Sequence, residues 1–158
     1  MGRDSQAEES SARHSRWAIM GRRFRDQARV DLESAEESVR PRRYHNAVLF
    51  AEQAAEKGIK ATYWHLLAEE PPWIHQFDRL ATAVAAKSGG LPEEVEDALG
   101  QLATLSENCR YPSGDEEEPI PADLVSEADA KLAVEQAKRI LAWVESLLRT
   151  PTGKPKHS

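Results

Sequence analysis

The residues best suited to chemistry lie in one loop of the chain, between two segments of helical pattern. Arg110 and Tyr111 follow Cys109, and four consecutive acids follow at Asp115 to Glu118. A guanidinium matches the geometry of phosphate oxygens, so Arg110 and its neighbour Tyr111 are candidate nucleotide- or RNA-binding residues. The alternative is that Arg110 pairs with the adjacent acids or with the end of the preceding helix. A run of acids is typical of a solvated loop, and we predict no metal site there.

The remaining reactive residue types do not form a known catalytic or metal-binding spacing. His45, His65 and His75 make no H-E-x-x-H arrangement, so we expect surface or half-buried polar side chains. His75 stands at the start of a predicted helix, where capping or hydrogen bonding is its simplest role, and we keep it as a candidate binding residue. Cys109 is the single cysteine, which excludes an intramolecular disulfide, and we expect its thiol to be inert. Gly89-Gly90 fits a helix stop better than a phosphate loop, and no cofactor is predicted.

A second group of candidates lies in an arginine-rich segment. Residues 16–43 carry eight arginines against five acids, whereas residues 93–129 carry twelve acids against one arginine. In the sequence RPRRYH, Arg43 and Tyr44 combine positive charge with a stacking face that could contact RNA. The alternative, which we favour, is a solvated helix face whose arginines pair with acids of the same helix. Those acids are Glu33, Glu36 and Glu37.

Composition and periodicity predict one all-α domain. The 158 residues are 40% hydrophobic and 30% charged, and no run approaches the roughly 18 apolar residues of a membrane span. The N-terminus has no apolar core of the signal-peptide kind, so we expect a cytoplasmic protein. Apolar positions at steps of three and four predict an antiparallel bundle of five helices, four long and one short. We place them at 17–39, 44–69, from Trp73 to the stop at Ser88, from Pro92 to the loop at Cys109, and at 122–149.

The helix from Tyr44 to Glu69 is predicted to be the centre of the bundle. Its small residues recur at steps of three and four, which leaves one face nearly bare and lets neighbouring helices approach closely. They are Ala47, Ala51, Ala54, Ala55, Gly58 and Ala61. Charged and polar residues from Glu52 to Lys60 fill much of the remainder. The domain is expected at 15–149, with disordered tails at 1–14 and 150–158.

Several of these segments together resemble the HEPN domain, the higher eukaryotes and prokaryotes nucleotide-binding family. They are an opening helix containing DLESA, the sequence AEQAAEKGIKA after Tyr44, the histidine of WIHQFDRL, and the triplet Arg110-Tyr111-Pro112. The resemblance covers roughly Trp17 to Leu148. It implies a helical bundle that forms homodimers, with the loop bearing Arg110 at the dimer interface. Members are metal-independent RNases or partners of small nucleotidyltransferases in two-gene toxin–antitoxin pairs.

The chain departs from the RNase members of that family at one position. They carry a histidine four to six residues after the arginine, but the corresponding residues here are Asp115, Glu116 and Glu117. A carboxylate in that place would repel the phosphate that the arginine holds. We therefore expect a homodimeric nucleotide-binding or interaction module, the partner of a small nucleotidyltransferase, without RNase activity. The alternative is an RNase that uses Arg110 with a non-standard base such as His75, Asp115 or Glu116.

Overall fold

The structure is a computed structural model that describes residues 2–107 and 109–150. All regular structure in these residues is helical, which confirms the predicted all-α bundle. The helices are α1 (Arg3–Glu37), α2 (Tyr44–Thr62), α3 (Phe77–Ser88), α4 (Glu93–Glu107), α5 (Pro121–Leu124) and α6 (Glu127–Leu148). A turn of π-helix, Tyr63–Leu67, continues α2. None of the helices in the described part of the chain combines the length and apolar character needed to cross a membrane.

Helix α2 is the central element, as its small residues predict. Eleven of its nineteen residues are buried, a larger share than in any other helix, and its main neighbours are α1 and α6. Gly58 faces Leu141 of α6 so closely that a methyl group at this position would overlap the leucine side chain. Ala54 packs with Ala28 of α1 and Leu141. The bare face of α2 therefore serves as the seam against both long neighbours.

The charged residues of α2 differ from the expectation. Glu52 and Glu56 are buried, with 2% and 5% of their surfaces exposed, although the pattern placed them on the remainder of the helix away from the core. A third carboxylate, that of Asp31 on α1, is also buried and accepts from Lys57 Nζ at 2.5 Å. Buried carboxylates are expensive unless they are paired. The bundle thus depends on a set of internal ion pairs as well as on its apolar core.

The segment after α2 also differs from its prediction. The third helix begins at Phe77 rather than Trp73, and Trp73 is 93% exposed instead of contributing to a helical stripe. Ala68 takes a left-handed conformation at φ +51° and ends the π turn. Pro71 and Pro72 disfavour helical geometry in the residues before them, which separates this segment from α2. The chain then runs without regular helix until Gln76, which precedes α3. This irregular segment carries His75.

The two ends of the chain bear on the predicted tails. Helix α1 extends back to Arg3, so residues 3–14 are helical where we expected disorder, and they are exposed throughout. The physical reason is that an existing helix can be elongated without a new nucleation cost, since each added residue gains one hydrogen bond. Met1 and residues 151–158, which include most of the predicted C-terminal tail, lie outside the described residues.

A tight corner joins α1 to α2, as Pro41 predicts. The Arg43 N–H donates to the Arg40 carbonyl at 3.0 Å, and Arg42 has φ +66°. This is the hydrogen bond of a β-turn with proline in its second position and a left-handed residue in its third, where glycine is the usual occupant. The left-handed conformation costs an arginine roughly 1 to 2 kcal/mol.

The last predicted helix is divided in two. Helix α5 ends at Leu124, Val125 is extended, and α6 starts at Glu127 after Ser126. The Ser126 hydroxyl accepts from the Asp129 N–H, and the Asp129 carboxylate accepts from the Ser126 N–H, both at 3.1 Å. This capping box explains the separate start of α6, because it satisfies two otherwise free amide groups.

The seam of α2 can be tested by overpacking it. We expect Ala54→Leu to lower the free energy of unfolding by about 1 to 3 kcal/mol, because Ala54 is fully buried between α1 and α6. Urea denaturation followed by circular dichroism measures the change. The matched control is Gln53→Leu, which adds a similar side chain to the exposed side of the same helix. Equal stability of Ala54→Leu and the wild type would contradict the assignment of this seam.

Candidate functional site

An open cleft lies over the solvent-facing side of α2. Its volume is about 360 Å³. The cleft is formed where the loop before α3 and the loop after α4 both approach α2. Its lining residues are Leu49, Glu52, Gln53, His75, Arg110 and Tyr111. Three of the five predicted binding residues, His75, Arg110 and Tyr111, therefore come together although they are far apart in the sequence.

Arg110 is held in the cleft by an ion pair with Glu52 of α2. The Glu52 side chain is only 3% exposed, whereas that of Arg110 is 43% exposed. The arginine therefore covers a buried carboxylate with one edge of its guanidinium and leaves other N–H groups toward solvent. Neither of the partners that we weighed from the sequence, the adjacent acids and the end of α4, is the one used. The expectation about the partner of Arg110 was wrong, because it considered only residues close in sequence.

His75 is held on the same helix by a second buried carboxylate. Its Nδ1 lies 2.7 Å from Glu56 Oε1, and Lys60 Nζ donates to the same oxygen at 3.1 Å. A carboxylate accepts hydrogen bonds, so the proton of the ring is on Nδ1 and Nε2 is left for another contact. Helix α3 starts beyond His75, after Gln76, so His75 does not cap that helix, and of the two roles that we predicted, hydrogen bonding is the one found. The histidine ring instead ties the irregular segment to α2.

Tyr111 supplies an aromatic surface at the edge of the cleft. Its surface is 83% exposed. A phenol ring held next to a guanidinium and an imidazole presents a flat face beside two groups that bind anions. The arrangement therefore suits a ligand that combines a planar ring with a negative group.

The acidic loop does not line this cleft. Asp115 to Glu118 are exposed, and their polar contacts are local: Asp115 Oδ1 accepts from the Glu117 N–H at 3.0 Å. The carbonyl of Asp115 also accepts from the Glu118 N–H at 3.1 Å. No group of side chains within residues 2–107 and 109–150 could hold a metal ion. The loop is a solvated turn beside the site rather than part of its floor.

The other two predicted binding residues lie elsewhere. Arg43 lines a separate cleft of about 410 Å³ at the corner between α1 and α2, which we call the corner cleft. Tyr44 is half-buried and packs against the core. The corner cleft is lined by Ser34, Glu37, Ser38, Arg40, Arg43, Asn46 and Phe50. The sequence therefore predicted one of its arginines but not the aromatic ring that lies beside it.

The expected pairing of the arginine-rich segment with its own glutamates was also wrong. Arg29 reaches across to Glu145 of α6 at 2.6 Å, and Arg25 contacts its neighbour Asp26 at 3.3 Å. Glu36 pairs with Lys138 of α6 at 3.5 Å. Arg40 donates to the Glu37 carbonyl at 2.6 Å rather than to a carboxylate. Apart from the Arg25–Asp26 pair within α1, these contacts connect helices or anchor the corner.

Cys109 has no role in the cleft. Its side chain is buried in the core, and Sγ–H donates to the Leu105 carbonyl at 3.2 Å. Burial raises the pKa of the thiol, and the charge of Asp129 raises it further. Since only the thiolate is a strong nucleophile, this cysteine is poorly suited to covalent chemistry.

The residues that the sequence did not identify are Glu52 and Glu56. Glu52, Glu56 and Lys60 are spaced by four residues, so the sequence alone places them on one face of α2. That spacing does not reveal that two distant loops cover the face. The two glutamates hold Arg110 and His75, and these contacts depend on the position of those loops.

The similarity of this chain to known proteins identifies its family. The HEPN domain family matches residues 22–147. Among solved structures, TT1696 from Thermus thermophilus is 30% identical with a TM-score of 0.70, over 81% of this chain and 98% of that one. The archaeal HEPN homologue ST0689 is 26% identical with a TM-score of 0.64, over 82% and 98%. A HEPN domain protein from Thermotoga maritima, tm0613, is 25% identical with a TM-score of 0.62, over 81% and 99%.

A search of curated proteins gives no match. The family match spans most of the chain, and the first of these structures is aligned over almost its whole length. The resemblance found from the sequence motifs is confirmed. The chain belongs to the HEPN domain family.

Proposed function

We propose that this chain is a cytoplasmic, homodimeric HEPN module that binds the phosphate and base of a nucleotide or RNA without cleaving it. The observation that carries the proposal is the convergence of Arg110, Tyr111 and His75 on one open cleft. In this role the protein acts through a partner, which we take to be a small nucleotidyltransferase of a two-gene toxin–antitoxin system. The family membership of the chain supports that choice of partner.

Each side chain of the cleft has a distinct task in this proposal. The exposed N–H groups of Arg110 hold a phosphate oxygen, while Glu52 fixes the opposite edge of the guanidinium. Tyr111 stacks on the base, because its ring is almost fully exposed next to the arginine. The ring of His75, which Glu56 anchors through Nδ1, offers Nε2 to the ligand. Preorganised contacts of this kind reduce the ordering cost of binding.

The binding site is tested by a variant that keeps the buried ion pair. We expect Arg110→Lys to weaken binding of adenosine monophosphate by at least about tenfold, since lysine keeps the charge opposite Glu52 but loses the fork geometry. Isothermal titration calorimetry measures the affinity. Arg110→Ala is less informative, because it would remove the partner of the buried Glu52 carboxylate and could alter the fold as well as the site.

The matched control for this experiment is Arg13→Lys. Arg13 is exposed on α1 and is not among the residues that line the cleft of Arg110. The Arg13→Lys variant should bind adenosine monophosphate with the same affinity as the wild type. Equal affinities of the wild type and Arg110→Lys, or a wild type that binds no nucleotide, would contradict the proposed site.

An exposed apolar residue next to the cleft supports the proposed homodimer. Trp73 is 93% exposed, and it lies in the loop before α3 that borders the cleft. Large apolar rings without cover usually mark a contact surface. A two-fold interface here would place the two Arg110 clefts near each other, with Asp115 to Glu118 at the rim. Like charges of the two acidic loops would then be kept apart in solvent.

The dimer is tested by molecular mass in solution. We expect light scattering to give a dimer at micromolar concentration in both low and high salt, because an apolar interface is little affected by ionic screening. Trp73→Ser should shift the equilibrium toward monomer. The control is Ile19→Ser, which removes an exposed apolar side chain from α1. A monomer in both salt conditions would remove the dimer from the proposal.

The nucleotidyltransferase partner has an independent test in the genome. A short nucleotidyltransferase reading frame beside the gene, and co-purification of its product with this chain, would support the partnership. A failure of the two purified proteins to associate would contradict it.

A second candidate function, RNA cleavage, is favoured by one contact. Glu56 anchors His75 in the cleft that also contains Arg110, and a carboxylate-anchored imidazole is a suitable general base. We give this function second place because the position four to six residues after Arg110 carries acids. Those acids lie in the exposed loop and provide no second proton-transfer group within the cleft.

Incubation of pure protein with a mixed RNA pool separates the two functions. We expect no cleavage by the wild type, in the presence or absence of a chelator. His14→Gln is the control, because His14 is exposed on α1 far from the cleft. Cleavage that persists in His14→Gln but disappears in both His75→Gln and Arg110→Lys would establish the RNase and contradict the non-catalytic proposal.

A further inference from the structure

Two arginine side chains give the corner cleft a positive charge. Arg40 and Arg43 stand at the two ends of one tight turn, joined by the hydrogen bond from the Arg43 N–H to the Arg40 carbonyl. Both side chains line the same cleft, and like charges in one cleft repel each other. Glu37 is the one acid among the lining residues, so the described lining has a net charge of +1. An anion between the two guanidiniums would remove their repulsion.

The corner holds these arginines in place. Arg40 Nε donates to the Glu37 carbonyl at the end of α1, which anchors one guanidinium and leaves its remaining N–H groups available. Arg42 adopts the left-handed conformation that keeps the turn tight. A residue other than glycine that is held in a left-handed conformation often lies at a functional site. Here the consequence of the turn is that Arg40 and Arg43 share a cleft.

Phe50 gives the corner cleft an aromatic wall. Its ring is 38% exposed, although the residues beside it on the core side of α2 are fully buried. The stacking face that the sequence assigned to Tyr44 is instead supplied by Phe50. Guanidiniums next to an exposed aromatic ring are the combination that binds a phosphate together with a neighbouring base.

The two clefts share one ridge of α2. Asn46 and Phe50 line the corner cleft, whereas Leu49 and Gln53 line the Arg110 cleft. Asn46, Phe50 and Gln53 are spaced by four and three residues, so they follow one side of the helix. Asn46 and Gln53 are about 10 Å apart along the axis. A strand lying on this ridge can therefore contact both clefts at once.

We propose that the corner cleft is a second phosphate-binding site, and that it holds the backbone of a single-stranded RNA whose neighbouring nucleotide occupies the Arg110 cleft. This inference rests on the proposed function, and it makes single-stranded RNA, rather than a free mononucleotide, the ligand of the full site. The corner cleft contributes phosphate contacts and stacking. It does not select a base sequence, since none of its contacts requires a particular base edge.

The test compares a long and a short ligand. Binding of a fluorescein-labelled eight-nucleotide oligouridylate is followed by anisotropy, and binding of adenosine monophosphate by calorimetry. We expect Arg40→Gln/Arg43→Gln to weaken oligonucleotide binding by at least about tenfold while mononucleotide binding is unchanged. The slope of log affinity against log salt should fall by about 0.7, the value for one lost phosphate contact on a single strand, because the two guanidiniums share one phosphate.

The matched control is Arg13→Gln/Arg16→Gln, which removes the same charge from the exposed N-terminal half of α1. It should leave both affinities and the salt slope as in the wild type. Equal losses in the two double variants would overturn the proposal, because general charge would then explain the binding. Circular dichroism confirms that each variant folds, as expected for exposed side chains.

The remaining outcomes separate this inference from the proposed function. If Arg110→Lys weakens both ligands and the corner variant weakens neither, the corner site is overturned and the proposed function stands. If only the oligonucleotide binds and only the corner variant weakens it, the corner site stands and the Arg110 site is overturned. A wild type that binds neither ligand overturns both. A glutamate-rich peptide that displaces the oligonucleotide at equal charge concentration would assign the corner cleft to an acidic protein partner and overturn the RNA ligand.

Discussion

The ion pair between Glu52 and Arg110 connects the loop after α4 to the centre of the bundle. Glu52 belongs to the most buried helix, and its carboxylate is almost completely removed from water. A buried carboxylate must be paired, and its partner Arg110 lies 58 positions later in the chain. Glu56, buried one turn further along α2, is paired with Lys60 of the same helix and also accepts a hydrogen bond from the His75 ring, which holds the irregular segment. The cleft is formed because two buried carboxylates of α2 each bind a side chain from one of the two loops.

Helix α2 performs three tasks with three faces. Its small residues form the seam with α1 and α6, its glutamates hold the loops, and its ridge from Asn46 to Gln53 faces solvent between the two clefts. The candidate site is therefore built on the most buried helix of the fold, while Arg110, Tyr111 and His75 come from loops. Side chains fixed by buried partners keep a binding geometry more precisely than side chains on free loops. The acidic loop stays outside this arrangement, which is consistent with its local turn contacts.

The sequence by itself determined the helical class, the central position of α2 and the family. These follow from local information: small residues at helical spacing create a seam wherever the helix packs, and the motif AEQAAEKGIKA is contiguous. The start of α3, the division of the last helix and the helical state of residues 3–14 were misjudged. The last two depended on competing local effects, namely the Ser126 capping box and elongation of an existing helix.

Only the tertiary structure decided which polar residues belong together. The sequence identified Arg110, Tyr111 and His75 as separate candidates. The fold brings them to one cleft, where Glu52 holds Arg110 and Glu56 holds His75. It placed Arg43 in the corner cleft with Phe50, and it buried Tyr44 partly in the core. The physical reason is that the pairing of a buried charge is set by whichever opposite charge the folded chain brings to it. Neighbours in sequence, such as the acids after Arg110, are excluded from that choice by the course of the loop.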